Sequence, residues 1–370
     1  MKKFAFIGHP ITLGHFYPLA GFWGGLAKRV SPYYLKEIML KLPSYKYNTM
    51  RIKSLTGVEC EGYGIILPIL PEQVAFLGEN KTLEKVLSAV RLAERLGAKL
   101  VSLGGFTSVV GNEGEYISSK VNIAVTSGNT FPAYLAIEGI KKACGIMEIN
   151  MSNSTATVMG ATGDIGSICT KILSKIVRRI YIVARNEKKI EEFARILREY
   201  GSAEIIIPEN KEEAIRRADI ILTATTAITS LIEPNNLKPG AIVCDVAVPA
   251  NVTKEVVSIR KDVLVFEGGL CKLPYIENIK DIKFHKAMLG KNCIFGCLAE
   301  AMLLGLENRF ESFSLGRGNI TEQKVFEIGA MALKHGFEVS EFFCGYKVFT
   351  NEDLKDIKRM AGNQVKICMI

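Results

Sequence analysis

Cys297 stands in Phe295–Gly296–Cys297–Leu298–Ala299–Glu300, at the start of a strongly apolar stretch, Ile294 to Phe310, that reads as a helix. A thiolate at a helix start gains from unpaired N–H groups and the positive end of the dipole, so the position suits a nucleophile. The same apolar setting suits a packed core thiol, and periodicity does not decide between the two. The other groups able to manage protons or charge are His9, His15, Asp245, His285, His335 and Cys293. His9 directly follows the strand-like FAFIG, a position able to face a cleft, which sets it above the other histidines.

A second chemistry is written over 160–166. Gly160–Ala161–Thr162–Gly163–Asp164–Ile165–Gly166 follows a buried strand pattern and opens a helix pattern, the setting in which a GxxGxxG turn cradles a pyrophosphate. The next strand decides the cofactor. Its end carries Arg185–Asn186, with Lys188 and Lys189 behind, where an NAD site places an acidic residue for the ribose hydroxyl. A cation there suits a 2′-phosphate, so NADPH is expected; the alternative is a set of charges that only solvates a helix start. Thr223–Ala224–Thr225, Asp245 and Gly268–Gly269 follow later strands and are expected on the same cofactor rim, although each also fits ordinary turn chemistry.

These residues need a scaffold, and the pattern supplies one. From Thr155 onward strands alternate with helices, which implies parallel pairing in a doubly wound, Rossmann-type sheet. Before it, strands over 4–8, 64–70 and 99–103 and helices over 81–97 and 126–142 form a second α/β lobe. The expected organisation is a substrate domain over 1–150, an NADP-binding domain over 151–275, and C-terminal helices over 276–370 that return to the first lobe and end in a tail. A cleft between two such lobes is the default ligand site.

The chain has 370 residues, 48% of them hydrophobic and 23% charged, too apolar for a disordered chain. Its apolar runs fall well short of the roughly 18 residues that cross a bilayer, and Met1–Lys2–Lys3 leads into a strand with no cleavage pattern after it. Nine scattered cysteines, an odd number without a CxxC pair, argue against a disulfide framework or a zinc site. A cytoplasmic location is expected. The net charge of +9 comes without long Lys/Arg runs, so it points to an acidic partner or a phosphorylated cofactor rather than to nucleic acid.

Several segments together resemble the long-chain fatty acyl-[acyl-carrier-protein] reductases (aldehyde-forming). They are GHPITLGH at 8–15, LGGFTS at 103–108, TSGNTFPAY at 126–134, GATGDIGS at 160–167 and CLAEAMLL at 297–304, with FSLGRGNIT at 313–321 and KHGF at 334–337. The resemblance implies NADPH-dependent reduction of an acyl-carrier-protein or coenzyme A thioester to a fatty aldehyde, through an acyl-enzyme on Cys297. It leaves Cys293 as helix packing, and it places His9, Ser127 and Asn129 inside family motifs. Gly104–Gly105–Phe106 and the Ser127–Gly128–Asn129 turn are then expected at the substrate, with N–H or side-chain donors for an oxyanion. An enzyme that consumes the aldehyde downstream would be a further partner.

The lysine-rich stretch 281–292 around His285 departs from the family, and 340–370 runs past its usual end. The aromatic segment with Phe16–Tyr17, Phe22–Trp23 and Tyr33–Tyr34 has two readings: a carrier or peripheral membrane contact, or an aromatic corner of the first lobe. Two rival functions remain open on sequence alone. One is a shikimate-dehydrogenase-like NADP-dependent alcohol dehydrogenase; the other is a non-catalytic NADPH-sensing protein.

Overall fold

The computed structural model describes residues 3–225, 232–248, 250–252, 254–274, 293–345 and 347–368. Expectations that fall on the 281–292 stretch with His285, on Thr226 and on the last two residues lie outside them. The chain forms two α/β units: 1–131 with 271–319 and 326–338, and 132–270 with 320–325 and 339–370.

The first unit is built on a five-stranded sheet of β1 (Lys3–Gly8), β2 (Tyr45–Lys53), β3 (Glu59–Ile66), β4 (Leu100–Leu103) and β5 (Ala124–Thr126), in the order β2-β3-β1-β4-β5. β2 pairs antiparallel with β3, and the other pairs are parallel. The β2–β3 hairpin was not legible as such, because β2 is half-exposed and polar along most of its length. The expected strand over 64–70 proves to be the end of β3, which stops at Ile66 two residues before Pro68.

Alternation along β1 separates its two faces. Ala5 and Ile7 share a core with Val86, Ala89, Val90 and Ala93 of the helix Glu79–Arg95, whose apolar spacing matches a helical stripe. Phe4 faces the other way, and a Cβ on Gly305 would lie 3.0 Å from its ring. Gly305 belongs to the helix Gly296–Leu306, which packs on β1, β3 and β4 and is buried on nearly every side.

The second unit holds an all-parallel six-stranded sheet of β6 (Thr155–Met159), β7 (Arg179–Val183), β8 (Glu204–Ile206), β9 (Ile220–Thr223), β10 (Ile242–Asp245) and β11 (Leu264–Glu267). Its order, β11-β10-β9-β6-β7-β8, is the doubly wound topology expected, with the crossover beside β6. β6, β9 and β10 are buried throughout, as a parallel sheet covered on both faces requires.

Two boundaries differ from those read in the sequence. The helix Thr130–Met147 buries Ala133, Ala136, Ile137, Ile140 and Cys144 in the core of the second unit, so the division falls at 131/132 rather than at 150. Residues 339–370 also belong to the second unit instead of the first. Phe342 and Phe349 enter its core, as do Leu354, Ile357 and Ala361 of the helix Asn351–Cys368, while Glu352, Lys355 and Arg359 take the outer face. Among the described residues no helix is long and apolar enough to cross a membrane.

Candidate active site

Cys297 is the second residue of the helix Gly296–Leu306. It is partly exposed, whereas the other cysteines with described side chains are buried, Cys293 among them. Three backbone N–H groups turn toward its sulfur, those of Leu298, of Cys297 itself and of Gly105. Burial nevertheless dominates and pushes the thiol up to about 12, with Glu300 adding to the rise and the N–H groups opposing it. At neutral pH the site therefore holds a thiol whose anion has donors already in place.

Two glycine turns shape the surroundings of that sulfur. Gly128 has φ +73, and a Cβ on it would lie 2.7 Å from the Cβ of Cys297 and 2.7 Å from Ser102 Oγ. Ser102 in turn donates to the Cys297 carbonyl at 2.8 Å. Gly105 has φ +58, and a Cβ there would lie 2.2 Å from His9 Nε2. The sequence TSGNT and LGGFTS segments are thus brought to one cysteine from the ends of β5 and β4.

His9 is buried, and burial lowers its pKa to about 4, so the ring is neutral. Nε2 accepts the Phe106 N–H at 3.2 Å and Nδ1 lies 3.2 Å from the Pro10 carbonyl, which together assign the proton to Nδ1. With both nitrogens engaged, His9 holds the Gly104–Gly105–Phe106 turn. His15 bonds Thr12 at its own helix start, and His335 pairs with Glu307.

Beneath the cysteine lies a group that sequence reasoning missed. Glu300, one helical turn after Cys297, is fully buried and has three donors in place of a cation. Thr126 Oγ1 and Ser314 Oγ donate to one oxygen at 2.6 and 2.8 Å, and the Phe131 N–H to the other at 2.9 Å, while the Thr130 N–H donates to Ser314 Oγ at 3.2 Å. Burial raises its pKa, and these donors pull it back. Thr126 Oγ1 also accepts the Gly128 N–H at 3.3 Å, so the carboxyl reaches the turn against Cys297 through one hydroxyl. Ser127 and Asn129 of that turn are both buried, and the Ser127 hydroxyl has no hydrogen-bond partner among the described residues. The i, i+3 spacing of Cys297 and Glu300 was visible; the partners on Thr126 and Ser314 were not.

The glycine loop of the second unit has its own geometry. Gly160 has φ +86, a Cβ on it would lie 2.4 Å from the Ala224 carbonyl oxygen, and one on Gly166 would lie 2.1 Å from the Gly160 oxygen. Ala161 and Thr162 lie between these points, and Gly163 precedes the helix Asp164–Ser174, whose first-turn amides at Ile165 and Gly166 have no carbonyl one turn back. Asp164, at the first helical position, is buried. Among the described residues the exposed Arg185 side chain makes no hydrogen bond or ion pair, and no acidic residue ends β7. This is a cradle that fits the pyrophosphate of a dinucleotide.

Other expected cofactor residues hold the loops in which they stand. Asn186 caps the helix Glu187–Tyr200 by accepting the Lys189 N–H at 2.9 Å. Asp245 is buried and takes the Thr223 hydroxyl and the N–H groups of Ala247, Asn251 and Val252, at 2.5 to 3.1 Å. Its pKa is raised by burial against those donors, and its oxygens shape the loop after β10. Thr225 bonds Asn251 at 3.0 Å. Gly268 and Gly269 are set by close approach, since Cβ atoms there would meet Cys244 Sγ at 2.5 Å and Val246 Cγ1 at 3.3 Å. Among the described residues no cluster of His, Cys, Asp and Glu is arranged to hold a metal.

Comparison with known proteins agrees with this division. The family model for shikimate / quinate 5-dehydrogenase matches residues 141–267, which lie within the second unit. The chain is 28% identical over 342 residues to the aminotransferase PigE of Serratia sp., covering 91% of this chain and 39% of that protein. It is also 28% identical over 312 residues to the long-chain acyl-[acyl-carrier-protein] reductase of Synechococcus elongatus, covering 82% of this chain and 89% of that one. A glutamyl-tRNA reductase of Clostridium novyi is 26% identical over 183 residues, 48% of this chain and 42% of that protein. The chain thus spans well under half the length of the PigE protein it matches.

Proposed function

We propose that this chain, an NAD(P)-binding oxidoreductase-type fold related to glutamyl-tRNA and acyl-carrier-protein reductases, reduces an acyl thioester to an aldehyde through a covalent intermediate on Cys297. The observation that carries the reading is the setting of Cys297: the one partly exposed cysteine among those described, at a helix start, with three N–H groups toward its sulfur. A long-chain acyl group is the substrate class that the similarity to the Synechococcus protein favours.

Transfer begins when the Cys297 sulfur adds to the thioester carbonyl. The new carbon–sulfur bond replaces the old one, and the Cys297 proton leaves with the departing thiol, so no separate base is consumed. The oxyanion formed on the way needs donors that are present beforehand. The Ser127 hydroxyl, buried and unpartnered next to Gly128, is assigned that part. A bound NADPH supplies the hydride that converts the acyl group to aldehyde. Bond cleavage then returns Cys297 as the thiolate, which takes one proton from solvent. Gly160 to Gly166 would hold the cofactor's pyrophosphate and Arg185 its 2′-phosphate; Thr223 and Asp245 keep the neighbouring loops in shape.

A second reading has one observation in its favour. The shikimate / quinate 5-dehydrogenase match suggests direct hydride exchange with an alcohol or ketone, without a covalent step. That match ends before the segment that carries Cys297, and it bears on cofactor binding more than on the reacting group. Intact-protein mass after mixing with palmitoyl thioester, without NADPH, separates the two. A palmitoyl adduct on the wild type, absent from Cys297→Ala and discharged as aldehyde by NADPH, supports the thioester route. No adduct on either protein would sink it.

A further inference from the structure

The segment from Leu13 to Lys41 carries two sets of apolar side chains. Phe16, Ala27, Leu35 and Met39 turn inward with Leu70 and form a small core of their own. Phe22, Trp23, Leu26, Tyr33, Tyr34 and Ile38 turn outward, with exposures of 91%, 65%, 55%, 69%, 65% and 46%. Phe22 and Trp23 sit on the short turn Gly21–Trp23, which leads straight into Gly24–Ala27. That turn is tight by necessity, since a Cβ on Gly24 would lie 2.0 Å from the Tyr17 carbonyl oxygen. The two rings pack edge to face on each other at 5.6 Å, and Tyr33 and Tyr34 do the same at 5.4 Å.

We propose that this corner seats the protein on an anionic lipid surface, with Phe22, Trp23 and Leu26 entering the headgroup layer. Charge supports that occupant. Residues 1–36 contain no Asp or Glu, and Lys28 and Arg29 lie directly beside the projecting turn. Lys28 stacks over Tyr17 at 5.8 Å, which leaves its charge at the base of the aromatic turn. Trp, Tyr and Phe beside basic residues are the composition of a segment held at a membrane interface. Shape argues the same way. Phe22, 91% exposed with its ring edge on Trp23, projects from the surface and does not line a pocket, and a bilayer would surround it.

The test uses the chain's only tryptophan, Trp23, as its reporter. The full-length protein is titrated with phosphatidylcholine vesicles containing about one quarter phosphatidylglycerol, and with phosphatidylcholine alone. Emission from Trp23 is expected to move to shorter wavelength and the protein to sediment with the anionic vesicles. Phe22→Ser with Leu26→Ser should weaken sedimentation roughly tenfold or more, and Lys28→Glu with Arg29→Glu should remove the preference for anionic lipid. All four positions are on the surface, and unchanged circular dichroism confirms that the variants fold. No shift on either vesicle overturns the proposal. A shift with acyl carrier protein and none with vesicles also overturns it, and gives the face to a protein partner.

Discussion

The α-carbon of Gly128 is packed so closely on Cys297 that a single methyl group there would lie 2.7 Å from the cysteine's Cβ. The turn also holds Gly128 at φ +73, where a side chain costs about 1–2 kcal/mol in its own right. Gly128→Ala must displace the cysteine or the turn, and a shift of about 1 Å at a reacting centre costs about a hundredfold in rate. The expected outcome is a loss of that order in acyl transfer to Cys297, followed by stopped-flow mass analysis, while NADPH affinity measured by fluorescence stays within about twofold. Transfer at the wild-type rate would move the chemistry away from this cysteine.

The titration of Cys297 makes a separate prediction. Burial holds the thiol at about 12, so below that value the reactive thiolate grows about tenfold with each pH unit. Alkylation of Cys297 by iodoacetamide should rise steadily from about pH 7 to about pH 10 without levelling, and should precede labelling of the buried cysteines. Peptide mapping reads both. A plateau near neutrality would mean that the N–H groups of Leu298 and Gly105 outweigh burial.

Glu300 governs stability more than chemistry. Glu300→Ala strands the Thr126 and Ser314 hydroxyls and the Phe131 N–H in a buried space, at a cost of about 3–5 kcal/mol. Glu300→Gln keeps an acceptor for the backbone and should lose less than about half of that. Because burial raises the folded carboxyl above 4.5, the folded state holds more proton than the unfolded one between the two values. The stability it contributes is therefore full below 4.5 and declines as pH rises through the folded value. Thermal melts should show the Gln variant gaining on the wild type as pH is raised. A gap independent of pH would show that the folded and unfolded carboxyls titrate alike.

Arg185 offers a test of cofactor choice. It stands where an acidic residue would meet a ribose hydroxyl, and among the described residues its guanidinium is unpaired. A charge-assisted bond to a 2′-phosphate contributes about 1.5–3 kcal/mol. Arg185→Asp should therefore raise the NADPH dissociation constant by roughly ten- to a hundredfold and leave NADH within a few-fold. Equal effects on both would place the 2′-phosphate elsewhere.

The second unit was the more legible half, because its strands are buried on both faces and its glycine turn follows a strand directly. Local pattern served there: Gly160 and Gly166 are glycines for contacts made within the loop and with the neighbouring strand end. The first unit was harder. β2 shows no clean alternation, and the network under Cys297 joins Thr126, Glu300 and Ser314 across nearly two hundred residues of chain. His9 was found by position, but only the fold shows Phe106 donating to its ring. Asp245 and Asn186 carry side chains suited to a ligand, yet the backbone N–H groups around them take those oxygens first.

The chain passes between its two units at 131/132, 270/271, 319/320, 325/326 and 338/339. Neither unit is therefore a continuous stretch of sequence, and no single cut yields one of them whole. The sheet that holds His9 and Gly105 leaves the ribosome long before the helix that bears Cys297 and covers its second face. During synthesis that face stays bare until some three hundred residues have been made, and a first unit expressed only to residue 131 would leave it uncovered.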